Sequence, residues 1–237
     1  MTWKKSCILL CFITLIGLQG VLYSKENTPS ERAKDKLQTI IFVNDEFVSS
    51  RNLADFKPFL ESQSPVVTAV MCSDSRVQPP SLHDNPKGRL FTIRNIGNQV
   101  ASNEGSVDYG VLMLKTPLLL ILGHTDCGAV KAVMKGYADL KPSIKAELDT
   151  INIDHAKDEK QALINNVNSQ IEIALKKYRD LIDSKDLFVV GGIYDIQNIF
   201  GYGNGALVFT NINGLHSPDQ ISKHSLFEGL EKAKIIR

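Results

Sequence analysis

The sequence predicts an α/β domain with a mainly parallel central sheet flanked by helices, and three observations carry that expectation. Short β-branched or continuously apolar runs alternate with helical stretches, the pattern of a parallel sheet. The strongest run, Leu118, Leu119, Leu120, Ile121 and Leu122, lies between Pro117 and Gly123 and has the unbroken apolarity of a strand covered on both faces. Further on, Leu163, Val167, Ile171, Leu175 and Tyr178 recur at helical spacing, so residues 158–180 read as an amphipathic helix of about six turns.

With 237 residues, the chain is long enough for one such domain with a real core and short for two. Its hydrophobic content of 43% and charged content of 22% are those of an ordinary globular protein. A formal net charge of +1, with no run of Lys and Arg interleaved with aromatics, gives no reason to expect a nucleic-acid partner.

The first residues differ from the rest. Lys4 and Lys5 precede an apolar run over residues 7–18, and small or polar residues follow near Gly20 and Ser24. These are the parts of a secretory signal peptide, expected over residues 1–24, and the run is short of the roughly 20 apolar residues of a membrane span. Export to the periplasm or the medium follows, with no membrane span after cleavage; an uncleaved anchor is the alternative, because no good small-x-small site is present. Cleavage would remove Cys7 and Cys11, leaving Cys72 and Cys127.

Residues 25–62 read as a helical arm, with Leu37, Ile40, Ile41, Phe42 and Phe47 at roughly helical spacing, and residues 63–237 as the main domain. Within that domain the spacing predicts strands over residues 66–71 and 90–93 and a helix over residues 102–114 with Ser102 as N-cap. Strands are also expected over residues 187–193 and 206–210. Gly201, Gly203 and Gly205 fall between the last two; with a strand after them rather than a helix, they read as a hairpin and not a dinucleotide loop.

Chemistry concentrates at two strand ends. Cys72-Ser73-Asp74-Ser75-Arg76 follows the first strand, and Gly123-His124-Thr125-Asp126-Cys127-Gly128 follows the central one. Carboxyl ends of strands are where open α/β sheets build their sites. Two thiolates and an imidazole, Cys72, His124 and Cys127, make a borderline-soft set suited to Zn²⁺, and three protein ligands leave one tetrahedral position open. Water in that position would drop from a pKa of about 15.7 to about 7. Asp74 can fill the fourth position or accept a hydrogen bond from that water, and Arg76 is spaced to hold its carboxylate as a bidentate pair. For two cysteines in an exported chain, a Cys72–Cys127 disulfide is the competing reading.

C-x-D-x-R followed roughly 50 residues later by H-x-x-C resembles the signature of the β-class carbonic anhydrases. Arg94-Asn95-Ile96-Gly97-Asn98, Asn166-Val167 with Gln170, Tyr194-Asp195, and Val43-Asn44 with Phe47 resemble further family landmarks. The resemblance implies one Zn²⁺ per chain on Cys72, His124 and Cys127, a catalytic pair of Asp74 and Arg76, and CO₂ and bicarbonate as substrate and product. It also implies a homodimer or homotetramer, and a sheet of four parallel strands plus an antiparallel edge strand. In some members the residue matching Asp74 ligates zinc in a closed state. Relatives sharing the ligand pattern hydrolyse carbonyl sulfide or carbon disulfide, and a non-catalytic member of the fold is a further alternative.

The chain departs from the family at Gln78, at Arg89, where an acid is usual, and over residues 81–87, where a pocket-lining pattern is missing. Asp126 reads as a solvated turn residue and Arg94 as a brace at a dimer contact. His83 is the histidine placed to shuttle protons; His155, His216 and His224 read as surface residues.

Overall fold

The computed structural model describes residues 28–83 and 85–237, so the signal peptide expected over residues 1–24 lies outside the described residues. The chain divides into two compact units, Met1–Leu60 and Glu61–Arg237.

In the first unit, α1 (Pro29–Ser49) starts at a capping box: the Thr28 hydroxyl accepts from the Glu31 N–H, and the Glu31 carboxylate accepts from the Thr28 N–H. A short α2 (Leu53–Phe56) follows, and Phe56 meets Phe47 edge-on with 6.3 Å between ring centroids. Leu37, Ile40, Ile41, Phe42 and Val48 of α1 are all more than half exposed. The helix has an apolar stripe and buries none of it.

The second unit is built on six strands: β1 (Val67–Cys72), β2 (Leu90–Asn95), β3 (Leu118–His124), β4 (Phe188–Asp195), β5 (Ala206–Ile212) and β6 (Lys234–Ile235). They lie in the order β2-β1-β3-β4-β5-β6. The first four are parallel, β5 runs antiparallel to β4, and β6 pairs parallel with β5. The fold class is therefore the expected one, except that β5 is not the edge: the two-residue β6 lies outside it. Gly201, Gly203 and Gly205, all at positive φ, make the turn between β4 and β5.

Side chains alternate across this sheet, which is why its strands read as continuously apolar. Val70 and Cys72 of β1, with Leu119 and Ile121 of β3, face one core; Ala69 and Met71, with Leu120 and Leu122, face the other. Helices α3 (Glu104–Asp108), α4 (Gly128–Lys135), α5 (Pro142–Leu148), α6 (Glu159–Lys177) and α7 (Arg179–Asp183) come from the connections, and α6 supplies Leu163, Val167, Ile171 and Ala174 to the first core. The second core is closed by Ile221 of α8 (Pro218–Lys223) and by Phe227.

Two helices differ from expectation. The stretch over residues 102–114 is a 3₁₀ turn (Ala101–Asn103), then α3, then a π-type turn (Tyr109–Met113). Ser102 does not cap it, because its hydroxyl accepts from the Asn95 side chain at 3.2 Å. The long helix ends at Lys177, where Tyr178 leaves helical geometry to donate from its hydroxyl to Asp108 at 2.7 Å. Its start agrees: Asp158 is the N-cap and accepts from the Gln161 N–H at 2.8 Å.

Contact between α6 and β4 depends on Gly191. A Cβ there would lie 2.5 Å from Ile171 Cδ1 and 2.7 Å from Val167 Cγ1. Gly191→Ala is expected to cost about 1–3 kcal/mol by overpacking, read from urea unfolding.

Candidate metal centre

The strand order reverses between β1 and β3: the chain leaves β1 for β2 on one side and returns to β3 on the other. A crevice opens at such a point, at the carboxyl ends of the strands. Cys72 is the last residue of β1, His124 the last of β3, and Cys127 the N-cap of α4. Their ligand atoms all lie within 4.8 Å of one another, and all three residues are buried. Both cysteines are free thiols rather than a disulfide.

The donor set fits a metal ion on the structure's own terms. His124 Nδ1 sits 3.0 Å from the Thr125 carbonyl, which can only accept, so Nδ1 carries the proton and Nε2 presents a lone pair. That Nε2 is buried without a hydrogen-bond partner, and an orphaned buried acceptor is destabilising unless something binds it. The two thiols are shifted in opposite directions by their mutual contact. The hydrogen bond from Cys127 pulls the Cys72 thiol well below its ordinary value, against burial, and the His124 ring and then the backbone N–H groups of Gly97 and Asp74 add to the effect. The same contact and burial push Cys127 up. A borderline-soft divalent cation would take the place of the thiol protons and satisfy Nε2 at once. Gly97 turns its N–H toward Cys72 from a left-handed backbone, φ +83°, packed so closely on Ile151 that a Cβ would lie 2.7 Å from its Cδ1.

Asp74 and Arg76 stand at the rim as the spacing predicts. Arg76 Nε donates to Asp74 Oδ1 at 2.9 Å and Nη2 to Oδ2 at 2.7 Å, and the Arg76 backbone N–H donates to Oδ1 at 2.9 Å. The Arg76 hydrogen bonds hold the Asp74 carboxyl well below the usual carboxylate range, so it is an acceptor only. Its Oδ2 lies 3.9 Å from His124 Nε2. Asp74 is not among the three donors that cluster.

Two residues read differently in the structure. Arg94 braces its own chain: its guanidinium donates to the carbonyls of Cys72, Asp74 and Val77, at 2.9, 2.8 and 2.6 Å, and to Gln78 Oε1 at 3.1 Å. It fixes the loop that carries Cys72, Asp74 and Arg76. Asp126 is not merely solvated, since its carboxylate bonds to both Arg76 and Lys131. The Lys131 contact first, then Arg76, lower its pKa to about 2.

The sign of the resulting pH effect follows directly. Asp74 and Asp126 both have folded values below the roughly 3.9 of a free aspartate. Their pairs contribute stability that is complete above about pH 4 and is lost as pH falls through the folded values. Thermal melts of metal-free Asp126→Asn are expected to fall below wild type at neutral pH and to converge with it between about pH 4 and pH 2.

The pocket above the donors has a volume of about 380 Å³. Cys72, Ser73 and Asp74 form its polar end, and Ile96, Ala129, Ala132, Leu140, Ile144 and Leu148 its apolar wall. Among the described residues of 81–87 none lines it, His83 included, which is exposed and accepts from the Asn85 N–H at 3.0 Å. Residues His155 and His216 are exposed, whereas His224 is half-buried and caps a turn through the Leu226 N–H. The wall supplied by α5 escaped the sequence reading, although Pro142 with Ile144 and Leu148 at helical spacing was its signal.

A buried amide cluster supports the crevice from behind. Gln170 accepts from the Val100 N–H at 2.8 Å and donates to Gln99 at 2.7 Å, while Gln99 donates to Asn166 at 3.0 Å. Asn166 and Gln170, noted in the sequence only as landmarks, thus tie α6 to the loop after β2.

A sequence model described as carbonic anhydrase matches residues 67–201. The carbonic anhydrase of Synechococcus elongatus is 36% identical over 96 residues, covering 38% of this chain. The chain spans only about a third of the length of the curated relatives it matches, 35% and 36% of the first two. Among solved structures, the β-carbonic anhydrase CcaA superposes with a TM-score of 0.60 at 24% identity, covering 78% of this chain and 96% of its own. One of two tetrameric β-carbonic anhydrases from Sordaria macrospora gives a TM-score of 0.58 at 23% identity, covering 70% and 93%.

Proposed function

Because this chain belongs to the β-class carbonic anhydrase family, we propose that it hydrates CO₂ reversibly to bicarbonate and a proton, at a zinc ion held by Cys72, His124 and Cys127. The observation that carries the reading is the partnerless Nε2 of His124, on a buried ring whose ligand atom clusters within 4.8 Å of the Cys72 and Cys127 sulfurs. Zinc, when bound, supplies the Lewis acidity that makes water a nucleophile at neutral pH.

The protein's own groups do the rest. Asp74, ionised and fixed by Arg76, accepts a hydrogen bond from the nucleophile and turns its lone pair toward the pocket. An acceptor that stays ionised does not take the proton for itself. Ile96, Ala129, Ala132 and Leu148 offer CO₂ an apolar berth that solvates bicarbonate poorly, which favours release of the charged product. With no histidine lining the pocket among the described residues, the proton passes to solvent buffer through the pocket mouth.

Stopped-flow CO₂ hydration paired with metal analysis tests this. One zinc per chain with turnover lost on chelation is expected. Full activity without metal, or faster turnover of carbonyl sulfide or carbon disulfide than of CO₂, would overturn it.

The exposed apolar stripe of α1 supports a homodimer or homotetramer, since a helix with such a stripe covers it by packing. We also place the mature protein outside the inner membrane, from the sequence of residues 1–24; N-terminal sequencing of protein from cell fractions tests this. Among the described residues, no helix is long and apolar enough to cross a membrane.

A further inference from the structure

Arg76 pairs with Asp74, as its spacing suggests, but its guanidinium is divided between two carboxylates on two loops. The edge carrying Nε and Nη2 serves Asp74. Nη1 donates to Asp126 Oδ2 at 2.7 Å, and Nη2 also reaches the Asp126 carbonyl at 3.0 Å. Asp126 lies between His124 and Cys127, so Arg76 joins the loop after β1 to the loop after β3.

Asp126 is itself anchored. Its backbone N–H donates to Glu159 Oε1 at 2.8 Å, in the first turn of α6, and its carboxylate takes Lys131 Nζ from α4. Its φ of 62° is left-handed, a conformation that Asp tolerates better than most side chains. Arginine has a long side chain with many rotamers, and the Arg76 side chain is 42% exposed. A single carboxylate partner would let guanidinium and partner swing together, because their bidentate contact is preserved in the motion. A second partner on a separate, helix-anchored loop removes that freedom.

We propose that Asp126 is a positioning residue: it clamps Arg76 through the edge of the guanidinium that Asp74 leaves open, and so holds the Asp74 carboxylate in its working orientation. This rests on the reading of Asp74 given above. The clamp acts through Arg76 and not on the metal donors, so its loss lowers turnover without releasing metal.

The test compares zinc-loaded wild type, Asp126→Ala and Asp126→Asn in CO₂ hydration, with zinc content, thermal melting and hydrogen exchange of the Arg76 Nε–H in ¹⁵N-arginine-labelled protein. Asp126→Ala is expected to keep its zinc, lose on the order of 10- to 100-fold in kcat/KM, mostly in kcat, and exchange the Arg76 proton at least tenfold faster. Asp126→Asn keeps an acceptor for Nη1 and is expected to recover most of both effects, which a merely structural role would not give. If Asp126→Ala folds poorly, Asp126→Gly, which takes the φ of 62° without strain, replaces it and is expected to show the same faster Arg76 exchange. Wild-type kcat and exchange in Asp126→Ala, or loss of zinc from it, would overturn the clamp. If wild type itself fails to hydrate CO₂, the function proposed above falls, while the Arg76 exchange rate still reports on the clamp.

Discussion

Substituting Cys72 by Ser, His124 by Ala or Cys127 by Ser is expected to strip the metal centre and lower CO₂ hydration by on the order of 10³-fold or more. The magnitude follows from the chemistry that is lost, because without the ion water returns from a pKa near 7 toward about 15.7. The reason the loss is complete lies in the structure. Cys72, His124 and Cys127 are the clustered donor set among the described residues, and the acid beside them, Asp74, is held by Arg76. A serine at Cys72 is a harder donor that keeps its proton, so the pair no longer offers a soft anionic site. His124→Ala also removes a fully buried ring, and some stability with it. Metal stoichiometry and turnover measured on the same folded samples decide the matter: a variant that keeps both would remove that residue from the site.

Asp74→Ala should behave differently, keeping zinc near one per chain while losing on the order of 10²-fold in kcat. Its carboxylate lies beside the donors rather than among them, with Oδ2 3.9 Å from His124 Nε2, so its loss withdraws an orienting acceptor and not a ligand. Arg76 keeps its bonds to Asp126, which limits collapse of the rim. Asp74→Asn separates orientation from charge, since the amide retains an oxygen acceptor but can also donate. Its kcat is expected between those of wild type and Asp74→Ala. Co-loss of zinc with Asp74 would instead mean that the carboxylate ligates.

Much of this centre was legible in the sequence because its signals are local. Cys72 ends a β-branched run, His124 ends the central apolar run, and two residues separate His124 from Cys127. Strand ends and short loops obey rules that span a few residues, and so the donors, Asp74 and Arg76 could be named before their contacts were known. What escaped depends on the meeting of distant segments. Arg94 follows Cys72 by 22 residues in sequence, yet parallel pairing of β1 with β2 sets it opposite Met71, within reach of the loop carbonyls. Asp126 looked like turn chemistry, because the φ of 62° it adopts is a turn conformation; its partners come from β1's loop, α4 and α6. The break after Lys177 is likewise tertiary, set by Tyr178 reaching Asp108, 70 residues away.

The crevice between β1 and β3 has a thermodynamic consequence. Its donors come from strands that become neighbours only when the sheet forms, so the unfolded chain holds Cys72 far from His124 and Cys127 and binds the ion weakly. With zinc as the proposed ion, metal and folding would be linked equilibria: free zinc above the dissociation constant would deepen the native well, by about 2.7 kcal/mol at a hundredfold excess. The centre proposed to activate water would thereby also tie the lifetime of the fold to the metal supply of the compartment that holds it.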